Sequence, residues 1–170
     1  MSYVNYIEKT HQYYFRIGHG SAYRYAHNED GPFTALKKPV AESRLTMISS
    51  AGFEIIPSDG PEPTPFKGIN IGEKDQVEVF PIASGTPKEK LKYMTGAHNR
   101  AESDMADIDA FFPITRLREL HAEGVIGGLA GNYLRIRPSY STTKTLKLDA
   151  PEVLRRCREE EVDVALLVPV

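Results

Sequence analysis

The sequence predicts an α/β fold, a three-layer domain with a mostly parallel sheet flanked by helices in a Rossmann-like arrangement. Three observations lead there. Short apolar runs of strand length alternate with helical segments along the chain. The closing run, Val162-Asp163-Val164-Ala165-Leu166-Leu167-Val168-Pro169-Val170, is almost continuously apolar, the habit of a parallel strand covered on both faces. A helical segment directly precedes it, so residues 149–170 read as one helix-strand unit. The 170 residues suit a single domain spanning 1–170, able to bury about 70 per cent of the surface its unfolded chain exposes. Within it, 1–40 reads as an N-terminal helix and irregular arm, and 41–170 as the α/β core.

Each element has its own signal. Tyr6, Tyr13, Tyr14 and Ile17 recur at mixed helical spacing and predict a helix over 3–17. From His19 to Pro39 the chain is rich in glycine, proline and aromatics and reads as irregular. Leu45-Thr46-Met47-Ile48 is a strand delivering the small-residue loop Ser49-Ser50-Ala51-Gly52. Pro57, Gly60, Pro61, Pro63 and Pro65 break regular structure after it. Residues 77–82 alternate apolar and polar, and Pro81, which lacks a ladder donor, makes this an edge strand. Thr115 is positioned to cap a helix carrying Leu117 and Leu120, closed by Gly124 in a left-handed conformation. Asp149 is positioned to cap the next helix, with Pro151 in its first turn, where a missing N–H costs little. Val153, Leu154 and Cys157 share one face of that helix.

Composition narrows the function classes. A net charge of -2 does not provide the basic patch that nucleic acid requires. No stretch approaches the eighteen or so apolar residues of a membrane span. The opening residues 1–8 have neither the basic region nor the apolar core of a signal peptide. One cysteine, Cys157, excludes an internal disulfide framework. Cytoplasm is the expected compartment.

Several motifs that suggest chemistry have plainer readings. His11, His19 and His27 sit eight apart, which matches no compact metal-ligand spacing, and no metal site is expected. His121 belongs to the surface of a helix. Gly124, Gly127, Gly128 and Gly131 follow a helix rather than a strand and read as a turn, not a dinucleotide loop. Cys157 lies mid-helix, away from any activating helix N-terminus, and reads as a buried structural thiol. The segment 98–113 is richer, with His98, Glu102, Asp104, Asp107 and Asp109 ahead of an apolar turn and a helix. His98 with Asp104 or Asp107 would form an oriented imidazole for proton transfer. The same acids would equally serve as helix caps and dipole partners. The residues leave both readings open.

Three blocks carry a family resemblance. They are Lys38-Pro39-Val40-Ala41-Glu42-Ser43-Arg44 leading to Ser49-Ser50-Ala51-Gly52; His98 with 107–117, followed by Glu123-Gly124-Val125-Ile126-Gly127-Gly128-Leu129-Ala130; and the closing apolar run. Together they resemble the selenoprotein B family, the B subunits of glycine, sarcosine, betaine and D-proline reductases. The resemblance runs in family order from about residue 3 to the end.

What the resemblance implies is selenium or sulfur chemistry. In that family a selenocysteine or cysteine follows the last strand, near a second cysteine. Its selenolate or thiolate attacks a carbon bearing nitrogen and cleaves the C–N bond. A partner subunit with a pyruvoyl group presents the substrate, and a thioredoxin-like dithiol protein resets the oxidised pair. Ser49, Ser50 and Gly52 would then line the cleft at the strand end. His98 and Asp107 would be supporting polar groups, and Arg116 a carboxylate or phosphate clamp. The chain binds no cofactor of its own on this reading, and the catalytic chalcogen is expected just past Val170. The expected cause is a UGA selenocysteine codon read as stop, which leaves the domain C-terminally incomplete and its last strand with an exposed apolar face. An oligomer is expected. The competing reading is a non-catalytic binding or assembly module of the same fold without the redox centre.

Overall fold

β1, Arg44–Ser49, is the central strand. Its sequence, Arg-Leu-Thr-Met-Ile-Ser, puts Leu45 and Met47 on one face and Thr46 and Ile48 on the other. All but Arg44 are buried, so β1 is covered on both faces. The computed structural model describes residues 6–18, 29, 31, 34–59, 61, 63, 75–94, 107–139 and 141–170. The chain divides into two compact units, Met1–Ala35 and Leu36–Val170. Within the first, α1 spans Tyr6–Arg16, in agreement with the periodicity of its aromatic residues.

The second unit holds the sheet. After β1 come β2 (Phe53–Ile55), β3 (Val79–Ala83), β4 (Leu91–Tyr93), α2 (Ile114–Ala122), β5 (Gly128–Leu129) and β6 (Asn132–Ile136). Then come α3 (Thr142–Lys144), a π-helical turn (Thr145–Asp149), α4 (Ala150–Glu159) and β7 (Val164–Val168). β5, β6 and β7 all run parallel to β1, and β3 pairs antiparallel with β6. β7 follows β1 along its length, from Leu45↔Val164 to Ser49↔Val168, so β5 and β6 share the opposite side of β1. The fold is therefore α/β with a mostly parallel sheet. Among the described residues β3 is an edge strand, as Pro81 predicts, and β2 and β4 form a separate antiparallel pair.

The main core joins Leu45 and Met47 to Phe53, Tyr93, Phe111, Phe112, Ile114, Leu117 and Tyr133. A smaller cluster on the other face joins Ile48, Val79 and Leu134 to Val153 and Cys157 of α4. Phe112 is the hinge of the larger core, with its ring centroid 4.6 Å from Phe53 and 5.8 Å from Tyr133. Gly124 ends α2 with φ +75, the left-handed cap the sequence predicts. Gly127 has a different task. A Cβ there would lie 2.7 Å from the Ala41 carbonyl oxygen, so only glycine lets the two backbones cross.

Four sequence expectations need correction. Thr115 does not cap α2; its N–H donates to Asp109 Oδ1 at 2.8 Å, because a nearby carboxylate is a stronger acceptor than a hydroxyl. Asp149 does not begin a helix. It has helical dihedrals inside a segment that Ser141 caps, and its carboxylate bonds elsewhere. Leu154 is 49% exposed, unlike Val153 and Cys157, so only two of the three residues face the sheet. Finally, β7 is not covered on both faces. Among the described residues it pairs with β1 alone, and Leu167 on its second face is 67% exposed. Among the described residues no helix is long and apolar enough to cross a membrane.

Candidate functional site at the carboxyl end of the sheet

The parallel strands β1, β6 and β7 deliver their carboxyl ends to one edge, where ligands bind in open α/β sheets. β1 ends in the small-residue loop. Ser49 is buried there; its hydroxyl donates to the Phe111 carbonyl at 3.0 Å and accepts from Ala51 N–H at 3.1 Å. The Asp107 block is thereby tied to the end of β1. Ser50 meets the end of the chain instead. Its Oγ accepts from Val170 N–H at 2.9 Å and lies 3.3 Å from the Val170 carbonyl oxygen. Gly52 accepts from Met94 N–H at 2.7 Å, which joins the loop to the end of β4.

The other expected residues fall differently. Asp107 Oδ1 accepts from Asp109 N–H at 3.1 Å and caps the short 3₁₀ turn Ile108–Ala110. Arg116 is exposed on α2 and pairs with Glu119 at 2.5 Å, and no described contact joins it to Ser49, Ser50 or Gly52. His98, Glu102 and Asp104 lie outside the described residues, as do His19 and His27. His121 is exposed on α2, its Nδ1 3.0 Å from the Ile126 carbonyl oxygen. Among the described residues no group of three or more His, Cys, Asp or Glu could hold a metal ion.

The edge also carries residues that the motif reading missed. Arg135 on β6 sits between Phe80 of β3 and Ser49 of β1 in register, so all three share one face. Its side chain is only 8% exposed. The guanidinium carbon stands 4.5 Å from the Phe80 ring centroid and 6.0 Å from that of Phe53. Its one charged partner among the described residues is Glu54, with Nη2 to Oε1 at 3.4 Å. Burial pulls the Arg135 pKa down, and the Glu54 carboxylate partly offsets this. The signal was present in Tyr133-Leu134-Arg135-Ile136-Arg137, where strand alternation sends Tyr133, Arg135 and Arg137 to one face. A polar residue on an inward face is the informative case.

Beside it lies a second polar group, from Arg137, Glu78, Lys144 and Asp149. The Lys144 ammonium is fully buried, 2.8 Å from Asp149 and 3.4 Å from Glu78. Asp149 Oδ1 also accepts from Glu78 N–H at 3.0 Å, and Arg137 Nε lies 3.1 Å from Glu78 Oε1. Two cations and two carboxylates balance. The network fastens the π-turn to the start of β3 and the end of β6 through charge contacts, with Glu78 Oε2 and Arg137 Nε buried and without a hydrogen-bond partner among the described residues.

No family model, curated protein or solved structure matches the chain. The reading of the edge therefore rests on its own geometry. At the opposite end of the sheet an open groove of about 460 Å³ lies beside Lys38, Arg44, Gly127 and Asp163. Its two cations are already engaged, Lys38 with Asp163 at 2.7 Å and Arg44 with the Glu160 carbonyl at 2.9 Å, while Glu42 and Glu161 also line it.

Cys157 is half-buried against the small core, and burial, then the Glu160 carboxylate, push its thiol pKa up. A raised pKa leaves less thiolate at neutral pH. The folded thiol is expected to react with iodoacetamide at pH 7.5 at least about tenfold more slowly than the urea-unfolded chain. Equal rates in the two states would contradict the burial.

Proposed function

We propose that this chain is the scaffold of a selenol- or thiol-dependent reductase subunit that cleaves the C–N bond of an amino-acid-like substrate, of the glycine, sarcosine, betaine and D-proline reductase type. In this reading the domain is a three-layer, Rossmann-like unit of a cytoplasmic oligomer. The observation that carries it is the pairing of β1 with β7, which ends with Val170 N–H on Ser50 Oγ at 2.9 Å. A selenocysteine or cysteine following Val170 would emerge beside the Ser49–Gly52 loop, at the edge where switch-point sites form. A chalcogenolate there attacks the carbon bearing nitrogen; the C–N electron pair leaves with the nitrogen, which takes up a proton. A second thiol then attacks the chalcogen, forming an S–Se or S–S bond as the carbon leaves with the carbon–chalcogen electron pair and takes up a proton, and a thioredoxin-like dithiol reduces that bond while becoming a disulfide.

Ser50 and Gly52 form the floor of the cleft in this account, and Ser49 holds the loop. His98 and Asp107 are the supporting polar groups, Arg116 is the carboxylate or phosphate clamp that the resemblance implies, and a partner subunit presents the substrate through its pyruvoyl group. The exposed Leu166 and Leu167 of β7 favour a second reading, in which the chain is an assembly module whose terminal strand needs a partner. The codons that follow Val170 separate the two. An in-frame UGA or cysteine codon continuing into coding sequence is the expected result. A UAA or UAG directly after Val170 would leave the assembly module.

A further inference from the structure

Arginine is the side chain best shaped for a carboxylate, because its planar fork matches two oxygens at once. Arg116, the clamp the sequence suggests, is exposed and committed to Glu119. Arg135 is different in every respect that matters. It is more than nine-tenths buried, at the carboxyl end of β6 and in register with Ser49. Phe80 and Phe53 flank the guanidinium, which keeps water from it and fixes its plane. Yet among the described residues its guanidinium makes one ion-pair contact, a loose one to Glu54 Oε1 at 3.4 Å, longer than a charge-assisted hydrogen bond, with the Glu78 carboxylate acting only through its field. Glu54 itself is 37% exposed and rides on β2, immediately after the loop that ends β1. The exposed part of its side chain reaches solvent.

We propose that Arg135 binds the carboxylate of the substrate and that Glu54 occupies its place until the substrate displaces it. This deepens the reductase reading and rests on it for the identity of the substrate as an amino-acid-like compound. The entering carboxylate accepts two N–H bonds from the fork where Glu54 makes one contact, and the released Glu54 faces water. No bond is made or broken in this step. Glu54 acts as a specificity filter, because a neutral analogue gains nothing by displacing it.

The test needs no redox centre, so its failure is distinguishable from failure of the reductase reading. The 170-residue chain, labelled with nitrogen-15, is titrated with glycine, with glycinamide, and with inorganic phosphate. Glycine is expected to shift amide resonances of 53–55 and 132–136, and glycinamide, which lacks the carboxylate, to leave them in place. Glu54→Gln removes the competing charge and keeps the shape, and is expected to tighten glycine binding about tenfold. Arg135→Met is expected to abolish the shifts, and Arg135→Lys, with a point charge in place of the fork, to weaken them about tenfold. Glycine affinity unchanged in Glu54→Gln, which leaves the fold intact, would overturn the displacement. Glycinamide binding as well as glycine, or shifts surviving in a folded Arg135→Met chain, would overturn the site. Phosphate binding more tightly than glycine would overturn the carboxylate assignment.

Discussion

Lys144→Met is expected to destabilise the fold by about 3–5 kcal/mol, the cost of leaving a buried partner charge uncompensated. The Lys144 ammonium has no exposure, and it stands between the Asp149 and Glu78 carboxylates, at 2.8 and 3.4 Å. Methionine fills much the same volume, so the loss is electrostatic rather than a cavity effect. The stranded Asp149 still accepts from Glu78 N–H, but its second oxygen has lost the Lys144 ammonium that met it. Urea unfolding followed by circular dichroism measures the change, and the midpoint should fall while the slope stays constant. Adding Asp149→Asn removes the stranded charge and keeps an acceptor for Glu78. The double variant should recover about 1–2 kcal/mol of the loss, within the usual range of coupling energies between contacting residues. A single-variant cost below about 1 kcal/mol would mean that the pair behaves like an exposed one.

Phe112→Ala is expected to cost about 3–5 kcal/mol for a different reason, the lost transfer energy together with a cavity. Phe112 is 0% exposed and touches Phe53 on one side and Tyr133 on the other. Those neighbours belong to β2 and β6, so the cavity cannot collapse without moving the sheet. The same loss should reach the candidate site. Phe53 leads directly to Glu54 and Tyr133 is two residues from Arg135, so the flank around the guanidinium should loosen. Amide hydrogen exchange should show faster opening of 53–55 and 132–136 together. Exchange that speeds up in only one of these strands would contradict the shared support.

Much of this fold was legible because the deciding interactions are local or periodic. The apolar stretch at 45–48 and the small residues after it give β1 and its loop by composition alone. Gly124 follows its helix at the position where a left-handed cap is needed, and Pro81 marks an edge strand by its missing donor. The misreadings share a cause. Asp149 followed by Pro151 has the local look of a helix start, but its partner Glu78 lies 71 residues away. Thr115 lost its capping role to Asp109, six residues back, in a turn that the sequence does not announce. The closing run is apolar enough for a central strand, yet composition cannot say whether a strand has neighbours on one side or two.

The site was legible in outline and not in detail. The loop at Ser49, Ser50 and Gly52 follows from strand order and the switch-point rule. Arg135 did not stand out, because motif reading attends to residues in loops and at helix starts. Its position is decided by register, Phe80 and Ser49 on either side, which no single segment encodes. Glu54 is tied to it across 81 positions of sequence, by the geometry of two separate sheets.

The reductase reading is tested most directly by electron counting. The protein is purified from its own cells, supplied with dithiothreitol, a cell extract containing its partners, and glycine, sarcosine, betaine or D-proline in turn. The predicted result is one dithiol oxidised for each C–N bond cleaved with at least one of the four, lost after brief treatment with iodoacetate. Folded protein that oxidises no dithiol with any of the four would contradict it.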